Sequence, residues 1–398
     1  MEVILNFIRK NASLLAVSWG HFVNDFYMSI VPVVLFAFAI EMDLSAMQMS
    51  IISFVITTAG TFFQPLVGLL IDRVQKSSLL IYALILISIG MSLSGLINNY
   101  YLLIVVVGVA ALGSSIYHPL GSTITIHKTS LSKGKSLSIF MTVGSFAHSA
   151  APLVAIPMVT VYGVKSLSVL VVPGLLTVLL LYVVKVQDVT WTREKHAKHK
   201  KRNKLTKKQQ AQVSLPMMIA VIKGLLYRSV VVFGVIMLQL KGIDNFATAG
   251  IMTAFMIARA SATLIGGFIS DAIGEKNTLK LFNTVAVIAV FLLVFGTKIV
   301  AVIGLIILGF TLNATAAANI TLTHKIMPDN VNYGTGLIMG FAATLSAVAM
   351  LGYGYIVDTY GHITSQNVLV GIAILMALLS YVLPAKFEAL EHDVEDVI

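Results

Sequence analysis

Apolar blocks of about twenty residues recur along the 398-residue chain, and no other feature constrains its fold as tightly. At a rise of about 1.5 Å per residue, each block is long enough to cross about 30 Å of hydrocarbon. Twelve spans can be placed, at 14–40, 47–70, 78–97, 101–127, 136–162, 166–187, 216–240, 246–270, 279–297, 299–324, 334–358 and 366–384. In lipid, backbone polar groups must be satisfied within the segment, so the spans are read as helices. A composition of 58% apolar and 11% charged residues fits an all-α integral membrane protein. The first span follows Arg9-Lys10, as in a signal peptide. Its apolar run exceeds about 15 residues and has no small-residue cleavage site, so it is read as a retained helix.

Charge placement orients the spans. Of 27 Lys and Arg residues, 21 fall on one side of this topology and only Lys165, Lys241 and Lys298 on the other. By the positive-inside rule both termini and the central loop are expected in the cytoplasm, with the protein in the cell membrane. The net charge of +10 is explained by this topology, without a nucleic-acid partner. The basic segment 188–215 reads as a solvated linker, or as one that binds anionic membrane lipid. The acidic stretch after Pro384 reads as a solvated, fraying end.

The chain also repeats itself. Gly68-Leu69-Leu70-Ile71-Asp72 after span 2 matches Gly267-Phe268-Ile269-Ser270-Asp271 after span 8, 199 residues later. His127-Lys128 matches His324-Lys325, 197 residues later. The expectation is two pseudo-symmetric six-helix bundles, 1–187 and 216–398, joined by the linker. A transporter of this design binds its solute near the midplane between the halves.

Ionisable groups inside spans mark that region, because a charge in hydrocarbon costs several kcal/mol unless it has a cavity or a partner. Asp25 is the only carboxylate placed in the hydrocarbon layer. His21, Asn24, Asp25 and Met28 share one helical face. Asp25, His118, His148, Arg228, Arg259 and Asn313 lie 9 to 12 residues from the linker-side ends of six spans. That depth is roughly 14–18 Å, so the six converge on one layer. Asp25 with His21 one turn away suits a proton-coupling pair. Asn24, His118, His148, Arg228, Arg259 and Asn313 are the candidate solute contacts. Two buried arginines against one acid favour a small anionic solute. Other readings stand beside these: a structural Asp25–Arg228 ion pair, histidines satisfied by packing, and an Asn313 bond across helices.

Gly68, Asp72, Arg73, Gly267 and Asp271 read as gating elements: a glycine for close helix approach and an acid that latches a helix N-terminus or a cation. A merely solvated turn is the other reading. Gly144, Ser145, Ala147, Ser149, Ala150 and Ala151 give span 5 a small-residue face.

With no cysteine, disulfides and thiolate sites are excluded, and no metal or cofactor is expected. An enzyme is not expected either. The membrane carries one acid rather than two, and neither a His-Glu-x-x-His motif nor a Gly-x-Ser-x-Gly elbow occurs.

Twelve spans, a basic central loop and Gly68-x-x-x-Asp72-Arg73 resemble the major facilitator superfamily. His21-Phe22-Val23-Asn24-Asp25, Gln64-Pro65-Leu66-x-Gly68, Tyr117-His118-Pro119 and Leu225-x-x-Arg228-Ser229 resemble its fosmidomycin resistance branch. The resemblance implies a proton-coupled antiporter that exports a small phosphonate-type drug or related anion; the chain itself is read as a monomer. Spans 1, 4, 7 and 10 would line its cavity. An importer of an organic anion or sugar-like nutrient on the same fold is the alternative, because alternating access works in both directions.

Overall fold

The computed structural model describes residues 6–7, 10–127, 129–190, 207–327 and 331–383. Most of the basic linker and the acidic tail lie outside the described residues. Among the described residues every regular element is a helix.

Ten helices, from Ala46–Gly68 to Gly334–Val382, are long and apolar enough to cross a membrane. Ala12–Val33 and Leu35–Met42 form one more span with a 44° bend. Pro32 accounts for the bend: proline removes a helix hydrogen bond and crowds the preceding turn. The longest helix divides at Gly361, whose φ of 78° and ψ of 164° are open to glycine but strained for other residues. Counted this way, the described residues hold twelve spans, as expected. Two of their boundaries differ from the sequence reading. Span 7 starts at Lys207, inside the expected linker, because Lys207–Ala211 continue the helix ahead of Pro216. Span 10 breaks at Thr315, between Lys298–Ala314 and Ala316–Ile326.

Each half packs as its own bundle. Span 1 packs against spans 4 and 5, and span 3 against span 4; span 7 packs against the last long helix, and span 10 against spans 8 and 9. Large apolar side chains such as Leu176, Val183 and Phe268 remain on the outside, where lipid is the solvent. Tyr101, Tyr162, Tyr355 and Tyr360 are exposed at one end of the bundle and Tyr82, Tyr182 and Tyr381 at the other, the placement of interfacial aromatic belts.

The two lobes meet where span 2 packs on span 11 and where span 5 packs on span 8. A Cβ at Gly354 of span 11 would sit 2.3 Å from Ser50 Oγ and 2.9 Å from the Ala46 carbonyl oxygen, so only glycine allows this approach. Beside it, Asp358 accepts the backbone N–H groups of Ala46 at 2.6 Å and Met47 at 2.9 Å. Ser45 and Gln48 complete a capping box on the same turn. Four orphan N–H groups at the start of span 2 thereby find acceptors, two of them on the opposite lobe. This seam lies at the end of the molecule away from the linker.

Candidate functional site

Asp25 is buried in the N-terminal lobe, ringed by imidazoles from three spans. Its Oδ2 lies 3.2 Å from His21 Nε2, its Oδ1 lies 3.3 Å from His118 Nε2, and His148 Nε2 approaches Oδ2 at 3.8 Å. Helical spacing puts His21 one turn before Asp25, while Tyr117-His118-Pro119 and the small face of span 5 bring the other two rings in. A Cβ at Gly144 would come within 2.3 Å of His21 Cε1, so the glycine of span 5 makes the space that His21 fills. The His21 ring stacks on Phe140 at 4.0 Å between centroids.

The remaining partners fix each ring. His21 Nδ1 donates to the Phe140 carbonyl at 2.8 Å, leaving Nε2 to face Asp25 and His118 Nδ1 at 3.1 Å. Ser29 Oγ donates to the Asp25 carbonyl at 2.8 Å and therefore accepts from His148 Nδ1 at 2.6 Å. Asn24 is fully buried and gives its two amide hydrogens to Asp25 Oδ1 at 2.9 Å and Ser114 Oγ at 3.0 Å.

Proton counting follows from these contacts. With His21 Nδ1–H committed to a carbonyl, a neutral His21 turns a bare lone pair on a carboxylate oxygen, which is repulsive. One added proton on Nε2 removes the conflict: it is shared between Asp25 Oδ2 and His118 Nδ1, and His118 Nε2–H then serves Asp25 Oδ1. Among His21, His118 and Asp25 the contacts close with one proton more than a carboxylate and two neutral imidazoles carry.

The C-terminal lobe is different. Arg259 of span 8 lies 4.1 Å from the centre of the Tyr227 ring, a cation–π contact. It is close enough to repel Lys223 and Arg228 of span 7, and His148 across the interface. Arg228 spends one N–H on its own helix, to the Gly224 carbonyl at 3.4 Å, and its buried Nε has no acceptor. Among the described residues no carboxylate forms an ion pair with Lys223, Arg228 or Arg259. The structural ion pair between Asp25 and Arg228 is therefore not formed: histidines reach Asp25 first. His148 lies between the two groups: its Nε2 is 3.8 Å from Asp25 Oδ2, and it is near enough to Arg259 to feel that charge.

The other expected positions fall elsewhere. Asn313 donates to Thr263 at 3.0 Å, a bond between helices of one lobe. Gly68 has no atom within 4 Å of a would-be Cβ and Gly267 only Ala317 at 4.0 Å, so neither is held by close helix approach, contrary to expectation. Arg73 and Asp271 are exposed and make no ion pair among the described residues. The Asp72 side chain lies outside the described residues. Sequence reasoning passed over Lys223, Tyr227, Ser29 and Phe140. A helical signal for the first two existed, since Tyr227 adjoins Arg228 at the expected depth and Lys223 stands about one turn away on the same helix. Nothing local pointed to Asp358.

Comparisons with known proteins agree with this architecture. The profile of the Major Facilitator Superfamily matches residues 17–336. The fosmidomycin resistance protein of Escherichia coli (strain K12) is 25% identical over 353 residues, covering 86% of each chain. The sialic acid transporter NanX of the same organism is 23% identical over 357 residues, again covering 86% of each. Among solved structures, a bacterial homologue of the human lysosomal transporter Spinster, inward-facing and occupied, superposes with a TM-score of 0.79 at 14% identity. That match covers 94% of this chain and 96% of the other.

Proposed function

The chain belongs to the Major Facilitator Superfamily, and from that premise we propose that it is a proton-coupled antiporter exporting a small organic anion by alternating access. It is a multi-pass membrane transporter rather than an enzyme. The charge bias of its loops supports a place in the cell membrane with both termini cytoplasmic. We read it as a monomer whose partners are protons, membrane lipid and one small solute.

One observation carries the proposal: a carboxylate ringed by histidines in one lobe adjoins three cations of the other that form no ion pair among the described residues. Lys223, Arg228 and Arg259 form a site that an anionic group completes, with arginine suited to bidentate recognition of carboxylate or phosphonate oxygens. Asp25, His21 and His118 hold the proton, with Asn24 and Ser29 positioning them. When the proton leaves, an acceptor pair on His21 and Asp25 loses its hydrogen, and a solute O–H or N–H fills the gap. Proton and solute donor then compete for the same lone pairs, which is the requirement for exchange. Gating follows from the seam at Asp358, which must part when the far side opens. The pair Asp72-Arg73 and its repeat at Asp271 would close the linker side in the opposite state.

Import of an anion together with a proton is a second reading, and charge sign favours it. Protonation removes one negative charge beside the cations and so strengthens anion binding. The two readings predict opposite pH dependence. With fosmidomycin as the probe, exchange requires binding that tightens as pH rises, and co-transport requires binding that weakens. In proteoliposomes Asp25→Asn is expected to abolish pH-gradient-driven movement while sparing solute counterflow. Unchanged gradient-driven movement in that variant would refute the assignment.

A further inference from the structure

We infer that the Asp25 cluster is also a binding site for a late first-row divalent metal ion, with Zn2+ the best match. The inference goes beyond the transport reading, since it needs neither solute nor gradient.

Hydrogen bonds between charged nitrogen and oxygen groups settle near about 2.7–2.9 Å. Here His21 Nε2 stands 3.2 Å from Asp25 Oδ2 and His118 Nε2 stands 3.3 Å from Asp25 Oδ1. Around tetrahedral zinc, with legs of about 2.0–2.1 Å, neighbouring ligand atoms are about 3.3–3.4 Å apart. The contacts are long for hydrogen bonds and close to the edge of that tetrahedron. One ligand atom each from His21, Asp25 and His118 lie within 4.8 Å of one another, and a modest rotation of the half-exposed His118 ring tightens the set.

The outer shell has the form metal ligands need. Metal-bound histidines commonly donate their second ring nitrogen to a carbonyl, carboxylate or water, which fixes tautomer and aim. His21 does this to the Phe140 carbonyl and His148 to Ser29. Both therefore turn Nε2 toward the carboxylate. His148, at 3.8 Å from Oδ2, is the fourth ligand or leaves that position to water.

The donor set selects the ion. One carboxylate with imidazoles suits zinc, cobalt, nickel or copper, whereas magnesium and calcium require mostly oxygen ligands. The charged and titratable groups around the site are His21, His118, His148 and Asp25 themselves, Tyr117 on span 4 and Arg259 on span 8. Arg259 opposes the ion electrostatically, and its removal should tighten binding.

The test uses full-length purified protein with any affinity tag removed. His196 and His199 of the linker are changed to alanine as background, because they are a second pair of potential ligands. Zn2+ titration by calorimetry is expected to give one saturable site, and Co2+ the visible bands of a tetrahedral complex. Mg2+ and Ca2+ should do neither. His118→Ala is expected to weaken Zn2+ by more than about 100-fold, and Ser29→Ala by about tenfold, as second-shell losses do. Arg259→Gln should tighten it several-fold. His118→Ala removes a half-exposed ring and is monitored for folding by gel filtration; Asp25→Asn, isosteric, is the check if it fails. Absence of a single Zn2+ site would overturn the inference, as would a site that survives both substitutions. Either failure leaves the transport reading standing.

Discussion

The two lobes repeat one helical plan but handle buried charge in opposite ways. In the N-terminal lobe, Asp25 is enclosed by His21, His118, Asn24 and the nearby His148, so its charge is compensated within the lobe. In the C-terminal lobe, Arg259 repels both Lys223 and Arg228, and none of the three forms an ion pair among the described residues. A compensated charge stabilises the fold that encloses it. An uncompensated set is tolerated at a cost that a bound anion removes. On the proposed reading, the N-terminal network belongs to the empty protein and a bound anion completes the C-terminal set.

That contrast can be broken by substitution, with opposite signs expected in the two lobes. The largest effect is on the compensated side. His21→Ala strips the innermost partner from a buried carboxylate and should cost about 3–5 kcal/mol, the usual loss when a buried pair is broken. Thermal unfolding of the empty protein in detergent would record it. A variant as stable as the parent would mean that the network carries no structural weight.

Next in size is the cationic side. Arg228→Gln or Arg259→Gln should remove about 1.5–3 kcal/mol of binding for an anionic solute, the range for hydrogen bonds to charged groups. A neutral analogue should lose far less. The empty protein should become more stable in the same variants, because mutual repulsion falls. Loss of stability in Arg259→Gln would contradict the contrast directly.

Gly144→Ala sharpens the comparison by acting on space rather than charge. Its methyl would press on the His21 ring, and overpacking of this kind costs about 1–3 kcal/mol. Coupling should suffer in step with stability, while anion affinity holds. Smallest is the seam between the lobes. Asp358→Ala leaves two helix N–H groups of span 2 unpaired, a loss of about 0.5–2 kcal/mol. It should shift the population toward states open on that side. The chain has no cysteine, so an introduced pair flanking the seam can be spin-labelled cleanly and its distance distribution compared with the parent. An unchanged distribution would show that the cap is ornamental to gating.

Much of the fold was legible because membranes simplify the problem. Span length, loop charge and the recurring Gly-x-x-x-Asp motif are one-dimensional signals, and twelve helices in two bundles follow from them. What escaped was local geometry inside long helices. The break at Thr315 carries no proline, whereas the bend near Val34 had a local signal in Pro32 that went unused. For the site, depth counting placed Asp25, His118, His148, Arg228 and Arg259 in one layer, and the structure joins them through His148. Depth alone could not assign neighbours. It allowed Asp25 and Arg228 to pair, whereas His21, on the same helix one turn away, occupies the carboxylate first. Lys223 was overlooked because its backbone is shallow, although a long side chain reaches well beyond its Cα. Asp358 bonds residues more than 300 positions away, a pairing that exists only once the lobes have docked.

The central claim is that one proton resides in the Asp25 network and gives way to solute. Proton exchange on binding tests it most directly, read with a pH-sensitive dye when the probe solute is added to purified protein in weak buffer. Release of about one proton per solute bound is expected from the parent, and none from Asp25→Asn. Binding without proton exchange in the parent, or equal release from both proteins, would contradict it.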